Sequence, residues 1–235
     1  MATQQTLSNL PLLVERQTPN GIVSPRTSDP ATLPATNQEV EDHDRGVFLP
    51  LPEDTFDIIY ADPPWDYKGQ LQHAGPGSRD TGGAVRHYPT VRLEDLKRLP
   101  VWDVAAKDCL LFMWATSPHL DQAIDLGKTW GFSWATIAFV WDKVRVNPGF
   151  YTLSQYELCL VFKKGKIPTP RGARNVRQSV VAQRKAHSAK PDEVRRRIDR
   201  MFPQTKKIEL FARQELNGTW TAWGLQTSEA TTFYS

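Results

Sequence analysis

Phe56-Asp57-Ile58-Ile59-Tyr60-Ala61-Asp62-Pro63-Pro64-Trp65, FDIIYADPPW, decides the fold, because an apolar run is stopped there by a carboxylate and two prolines. The run over 56–62 predicts a buried strand, and its end is unusual. Each proline fixes its own φ and disfavours the α-region in the residue before it, so the chain must leave the strand extended. An exit of that kind predicts carbonyls that point outward without ladder partners. With the Asp62 carboxylate they would accept both hydrogens of a single NH₂ group, while Trp65 offers a face on which a planar base can stack. An Asp-Pro-Pro sequence is in most settings a turn, so the rest of the chain has to decide between turn and site.

Outward from this stretch, short apolar runs alternate with helical patterns. CLLFMWA (109–115), SWATIAFVW (133–141), YELCLVFKK (156–164) and KKIELFA (206–212) read as further strands, mostly without alternation, as strands covered on both faces do. Helices are predicted over 93–99, over 118–130 with Gly131 to stop it, and over 190–202. In the last of these, Pro191 opens the helix, Asp192 and Glu193 sit in the first turn, and Val194, Ile198, Met201 and Phe202 share one face. This alternation is that of an α/β sheet with crossover helices, whose ligands bind beyond the carboxyl ends of the strands, where Asp62 stands. The polar segments 66–87 and 165–188 are longer than ordinary loops, which marks them as functional or mobile.

With 235 residues the chain suits one domain plus a tail. Residues 1–45, rich in Thr, Pro, Ser, Asn and Gln, predict a disordered tail, 46–226 the folded domain and 227–235 a short C-terminal tail. The absence of a secretory pattern or a long apolar run makes a cytoplasmic protein with no membrane partner the expectation. Cys109 and Cys159 each lie inside an apolar run and are expected to be buried thiols, so neither a metal site nor a redox role is expected. The formal charge of +3 conceals an uneven distribution: residues 163–207 hold fifteen Lys and Arg against Asp192, Glu193 and Asp199. Such a local field suits a polyanion, although a solvated helix face with a basic loop would look the same.

YADPPW resembles the signature of amino-group methyltransferases acting on adenine, and Trp at its last position is that of the MT-A family. That family includes the catalytic subunit of the eukaryotic mRNA adenine N6-methyltransferase complex and bacterial and phage members. HYPTVRLEDL (87–96), LFMWATSPHL (111–120), WGF (130–132), KPDEVRRRIDRMFP (190–203), KKIELFAR (206–213) and WTAWG (220–224) follow in the family's order and spacing. The resemblance spans about 45–226. It implies a Rossmann-like α/β sheet with helices on both faces, circularly permuted so that the DPPW strand precedes the cofactor strand. A Gly-rich dinucleotide fingerprint near the amino end is then not expected, and none is found.

The resemblance also implies roles. Asp62, Pro63, Pro64 and Trp65 would be the catalytic motif, with Asp62 also meeting the ammonium of S-adenosylmethionine. Tyr88 and Trp114 would border the target adenine. Lys190 would bind the cofactor carboxylate, Arg213 its ribose, and Glu209 matches an acid on the same strand. Ala212 replaces a frequent Gly, and Leu225-Gln226 stands where the family has Asn-Gln, so Gln226 would keep a ribose contact. Asp44 and Glu215 stand near two further family positions, and the sequence leaves open whether either touches the cofactor.

The expected activity is therefore adenine N6-methylation in nucleic acid, DNA ahead of RNA, with the loop of Arg171, Arg174, Arg177, Arg184 and Lys185 tracking phosphates near the site, as a monomer, homodimer or heterodimer. The rival readings are a catalytically silent nucleic-acid-binding subunit of a heterodimer, an RNA adenosine N6-methyltransferase, and a methyltransferase of a free nucleotide.

Overall fold

In the computed structural model, which describes residues 48–66, 90–148, 151–184, 189–214, 216 and 218–224, the run before Asp62 is strand β1 (Phe56–Ala61). Along the chain follow α1 (Leu93–Arg98), β2 (Ala105–Ala115), α2 (Leu120–Thr129), β3 (Ser133–Asn147), β4 (Ser154–Lys164), β5 (Ser179–Val181), α3 (Asp192–Met201), β6 (Lys207–Leu210) and β7 (Trp220–Trp223). The strands form one seven-stranded sheet in the order β5-β3-β4-β2-β1-β6-β7. β1 pairs in parallel with β2 on one edge and β6 on the other, and β6 pairs in parallel with β7. β4 runs antiparallel to both β2 and β3. The strand carrying DPPW is thus early in the chain but central in the sheet, and the order reverses beside it: β2 lies on one side, the late strand β6 on the other. That is the permuted arrangement expected, and it puts the switch point at the end of β1.

Successive residues of the central strands feed two cores. Ile59, Ala61, Leu111, Met113, Ile208 and Leu210 pack with Leu96 of α1 and Ala123 and Leu126 of α2. Ile58, Tyr60, Leu110, Phe112 and Trp114 pack with Val194 and Ile198 of α3 and with Phe202 just beyond it. The period of two in a strand sends alternate side chains to opposite faces, so helices are needed on both. The predicted helix over 118–130 begins as a 3-10 turn, Ser117–His119, before α2. Gly131 ends it with φ 86°, and a Cβ there would fall 2.0 Å from the Trp102 ring, so only glycine fits.

Two strands are additional to those read from the sequence. β5 is three residues of a polar loop laid beside β3, and β7 is four residues between Gly218 and Gly224. β3 also continues six residues past Trp141, to Asn147. Cys109 and Cys159 are buried free thiols, as expected, and burial raises the pKa of both. Among the described residues no helix is long and apolar enough to cross a membrane. The expectations for residues 1–45, for 227–235, for Asp44, Tyr88, Lys185, Glu215 and Gln226, and for most of 66–87 lie outside the described residues.

Candidate active site

Four elements meet beyond the carboxyl ends of β1 and β6. β1 delivers Asp62, the segment before α3 delivers Lys190, α3 delivers Asp192 and Arg195, and β6 delivers Glu209 and, past its end, Arg213. These six line one open cleft. Lys190 Nζ lies 2.7 Å from Asp62 Oδ1, and Arg213 Nη2 lies 3.5 Å from Asp62 Oδ2. Three residues that were singled out by separate motifs are therefore in direct contact.

The cations and acids of the cleft are interleaved. Arg195 pairs with Glu209 at 3.1 Å and with Asp192. Burial pulls the Lys190 ammonium down, but Asp62 and Glu157 outweigh it and hold its pKa above the ordinary lysine value. Glu209 behaves oppositely: burial pushes its carboxyl from 4.5 up to about 7, against the pull of Arg195. An acid raised in this way is protonated in the fold while still ionised in the unfolded chain, so its effect on stability falls as pH rises from about 4.5 to about 7. Glu209→Gln, which cannot ionise, is expected to lose that fall. The Tm of the variant relative to the parent should rise between pH 5 and pH 7.5, by the equivalent of on the order of 1–3 kcal/mol; parallel Tm–pH curves would contradict it.

The DPPW segment itself is more enclosed than its sequence predicts. Trp65 N–H donates to the Pro63 carbonyl at 2.9 Å, and Val91 N–H donates to the Pro64 carbonyl at 2.9 Å, so neither carbonyl is without a partner. Each keeps a second lone pair, so the Pro63 carbonyl, one residue from Asp62, has capacity to accept a further hydrogen bond. Trp65 is 5% exposed and stacks on His119, with ring centroids 5.7 Å apart, so one of its faces is covered from within. Its Nε1 donates to the Trp114 carbonyl at 3.2 Å, and Trp114 Nε1 donates to the Tyr60 hydroxyl at 2.6 Å. Trp114, expected at the border of the adenine pocket, is 1% exposed, with its ring 5.8 Å from the Lys190 ammonium. It serves as a wall behind Lys190.

Beside the charged cleft lies a small apolar pocket bordered by Phe48, Pro64, Val91, Phe211 and Trp223. Phe211 lines both cavities and takes a left-handed φ of 62°, a conformation uncommon for an aromatic residue and one that ends β6 there.

The structure does not bring Arg171 and Arg174 to this cleft. Gly172 N–H and Ala173 N–H donate to the Met201 and Arg200 carbonyls, and the Arg171 guanidinium sits over the Phe202 ring. That stretch is docked on the C-terminal end of α3, whose opposite end lines the cleft, and a ten-residue helix is about 15 Å long. Arg177 is held at its carbonyl by Arg197, on the middle of the same helix. The reason is visible in the strand directions: β4 runs antiparallel, so the loop that follows it starts at the far end of the sheet. Arg184, after β5, does return to the near end, where it donates to Asn147 at the end of β3. Much of the basic excess is neutralised internally as well, through Arg195–Glu209, Arg197–Glu193, Lys206–Asp54 and Lys207–Asp199.

Sequence reasoning missed Glu157, Lys143 and Arg195. Glu157 lies 3.5 Å from Lys190 and 3.3 Å from Lys143. An acid inside YELCLVF and a lysine following FVWD were the available signals, since charges in buried strands need a reason. Among the described residues no group of three or more His, Cys, Asp and Glu could hold a metal ion.

The family model described as MT-A70 matches residues 56–226. The Type II methyltransferase M.MunI of Mycoplasma sp. is 50% identical over 190 residues, 77% of this chain and 81% of that protein. The human N(6)-adenosine-methyltransferase catalytic subunit METTL3 is 28% identical over 182 residues, 73% of this chain but 28% of that protein. The Drosophila melanogaster N(6)-adenosine-methyltransferase MT-A70-like protein is 29% identical over 180 residues, with 27% of its length covered.

Proposed function

The chain belongs to the MT-A70 family of S-adenosylmethionine-dependent adenine N6-methyltransferases, and on that premise we propose that it methylates the N6 amino group of adenine in DNA, with 46–226 as its catalytic domain. The observation that carries the reading is Asp62 held between Lys190 and Arg213 at the switch point of the sheet. Similarity over most of the length of a Mycoplasma type II methyltransferase favours DNA over RNA.

The cleft fits the cofactor on its own chemistry. A ligand with an ammonium and a carboxylate needs both signs within reach, which Asp62, Lys190 and Arg213 supply. When bound, S-adenosylmethionine supplies a methyl group on a positively charged sulfur. The chain's own task is to present the acceptor. An exocyclic amine is a poor nucleophile because its lone pair is conjugated into the ring. Asp62 and the free lone pair of the Pro63 carbonyl accept its hydrogens, fix its angle and draw the leaving proton outward. Orientation of this kind supplies up to about 7–11 kcal/mol in model systems. Within the duplex the amine is out of reach, so the base has to be extruded into the site.

Methyl transfer from labelled cofactor to duplex DNA, single-stranded DNA, RNA and free AMP, with N6-methyladenine identified by mass spectrometry, tests the proposal. Transfer to DNA is expected; transfer to RNA or AMP alone would replace the substrate, and DNA binding without cofactor binding would make the chain a silent subunit. The phosphate contacts are assigned to Arg145 and Arg184 near the end of β3, on the cleft side. Charge reversal of that pair should raise the KM for DNA about tenfold or more at low salt, whereas reversal of Arg171 and Arg174 should change it less than about twofold. The opposite ranking would restore the loop after β4 as the contact surface.

A further inference from the structure

Glu157 and Lys143 extend a row of charges beyond the groups that would touch cofactor or base. Across the carboxyl-end rim from β3 to β6 the row runs Lys143, Glu157, Lys190, Asp62, Arg213, alternating in sign at each step. Glu157 divides its carboxylate: Oε1 faces Lys143 Nζ at 3.3 Å and Oε2 faces Lys190 Nζ at 3.5 Å. The side chains of Lys143, Glu157 and Lys190 are 5%, 14% and 13% exposed. Stability is a poor reason for such a row, because desolvation consumes most of the attraction and apolar residues of similar volume often serve as well.

The position of Glu157 is set by the sheet. It faces Trp141 in the β3–β4 register, and its neighbour Leu158 faces Ala115 of β2, so its backbone is fixed by pairing on both sides of β4. The ammonium of Lys190 therefore lies between two anions, the nearer of which, Asp62, is needed by the ligand. A zwitterionic ligand brings its own ammonium to Asp62 and its own carboxylate to Lys190. Without a ligand, Lys190 sits on the Asp62 carboxylate at 2.7 Å, in the place the ligand's ammonium would take. A second anion on the other side, with the Trp114 ring close by, draws it back.

We infer that Glu157 is a positioning residue for Lys190, holding the ammonium at the cleft rim when the ligand takes over Asp62, and that Lys143 is the counter-charge that lets a buried Glu157 do so. This rests on the reading of the cleft as the S-adenosylmethionine site.

The test is calorimetric titration of S-adenosylmethionine, without acceptor, into the full chain, Glu157→Gln, Lys190→Met and the double variant. Glu157→Gln is expected to weaken binding about tenfold in the parent and less than about twofold in the Lys190→Met background, because contacting charges couple. At saturating cofactor, kcat and the KM for DNA should stay within about twofold of the parent. Unchanged affinity overturns the inference. So does an equal loss in both backgrounds, or a loss confined to kcat or to the KM for DNA, which would put Glu157 on the acceptor. If Glu157→Gln lowers the folded fraction, Glu157→Gln with Lys143→Met removes both charges together and must show the same shift. Failure of the parent chain to bind overturns the cofactor reading itself, whereas binding without loss in the variants overturns the role of Glu157 alone.

Discussion

Asp62→Ala is expected to reduce methyl transfer by about a thousandfold or more at saturating cofactor and DNA, since groups preorganised around the reacting atoms account for losses of that size when one is deleted. The fold should survive. Lys190 keeps Glu157 as a partner, and Arg213, about a third exposed, can turn to water, so neither cation is left buried alone. Ile58, Ile59 and Tyr60, which anchor β1 in the two cores, are untouched. Single-turnover transfer together with a thermal melt separates the two effects. Residual activity above about one per cent, with DNA binding intact, would remove Asp62 from the chemistry and leave it as a partner for Lys190.

Lys190→Met is expected to act on the cofactor, weakening it about a hundredfold, as truncation of one member of a buried charge pair commonly does. Methionine retains the length that packs on Trp114 but leaves a ligand carboxylate facing an apolar wall. The stability cost should be small because both anions keep a cation: Asp62 has Arg213 and Glu157 has Lys143. Titration with S-adenosylmethionine measures it, and the demethylated product should lose affinity to the same degree, since its amino-acid tail is identical. An unchanged affinity would return Lys190 to the role of a helix-start residue.

The sheet was largely legible because its central strands are long, apolar and covered on both faces, so β1, β2 and β4 announce themselves by composition. β5 and β7 were missed because three or four residues lie below the length at which a pattern is visible, and their strand character comes from the neighbour they pair with. Asp62, Lys190 and Arg213 could be singled out from motifs, and the structure brings them into contact. Sequence could not tell Arg171 and Arg174 of the loop after β4, which lie away from the cleft, from Arg184, which returns to its side, because charge along a sequence carries no direction. The antiparallel run of β4 sends that loop to the far end of the sheet, a fact about pairing and not about composition. Trp65 was read as a surface for a base from its chemistry and Trp114 as a border of the adenine pocket from the family resemblance; their indole N–H groups are satisfied inside and tie the rings into the core. Glu157 was passed over because a charge in a strand has meaning only when the opposite charge across the sheet is known.

The central place of β1 has a further consequence for the order of folding. Asp62 and Arg213 meet across 151 residues of chain, whereas β1 and β2 are joined by a much shorter connection. Contacts of high sequence separation form late, because the entropy of closing the loop is spent before they return anything. Until β6 docks, β1 has one open edge, a template for pairing with other chains. The same event covers that edge and brings Glu209 and Arg213 to the cleft. An incompletely folded chain therefore carries the DPPW motif but an unfinished site, so maturation of the fold acts as the enzyme's own licence to modify its substrate.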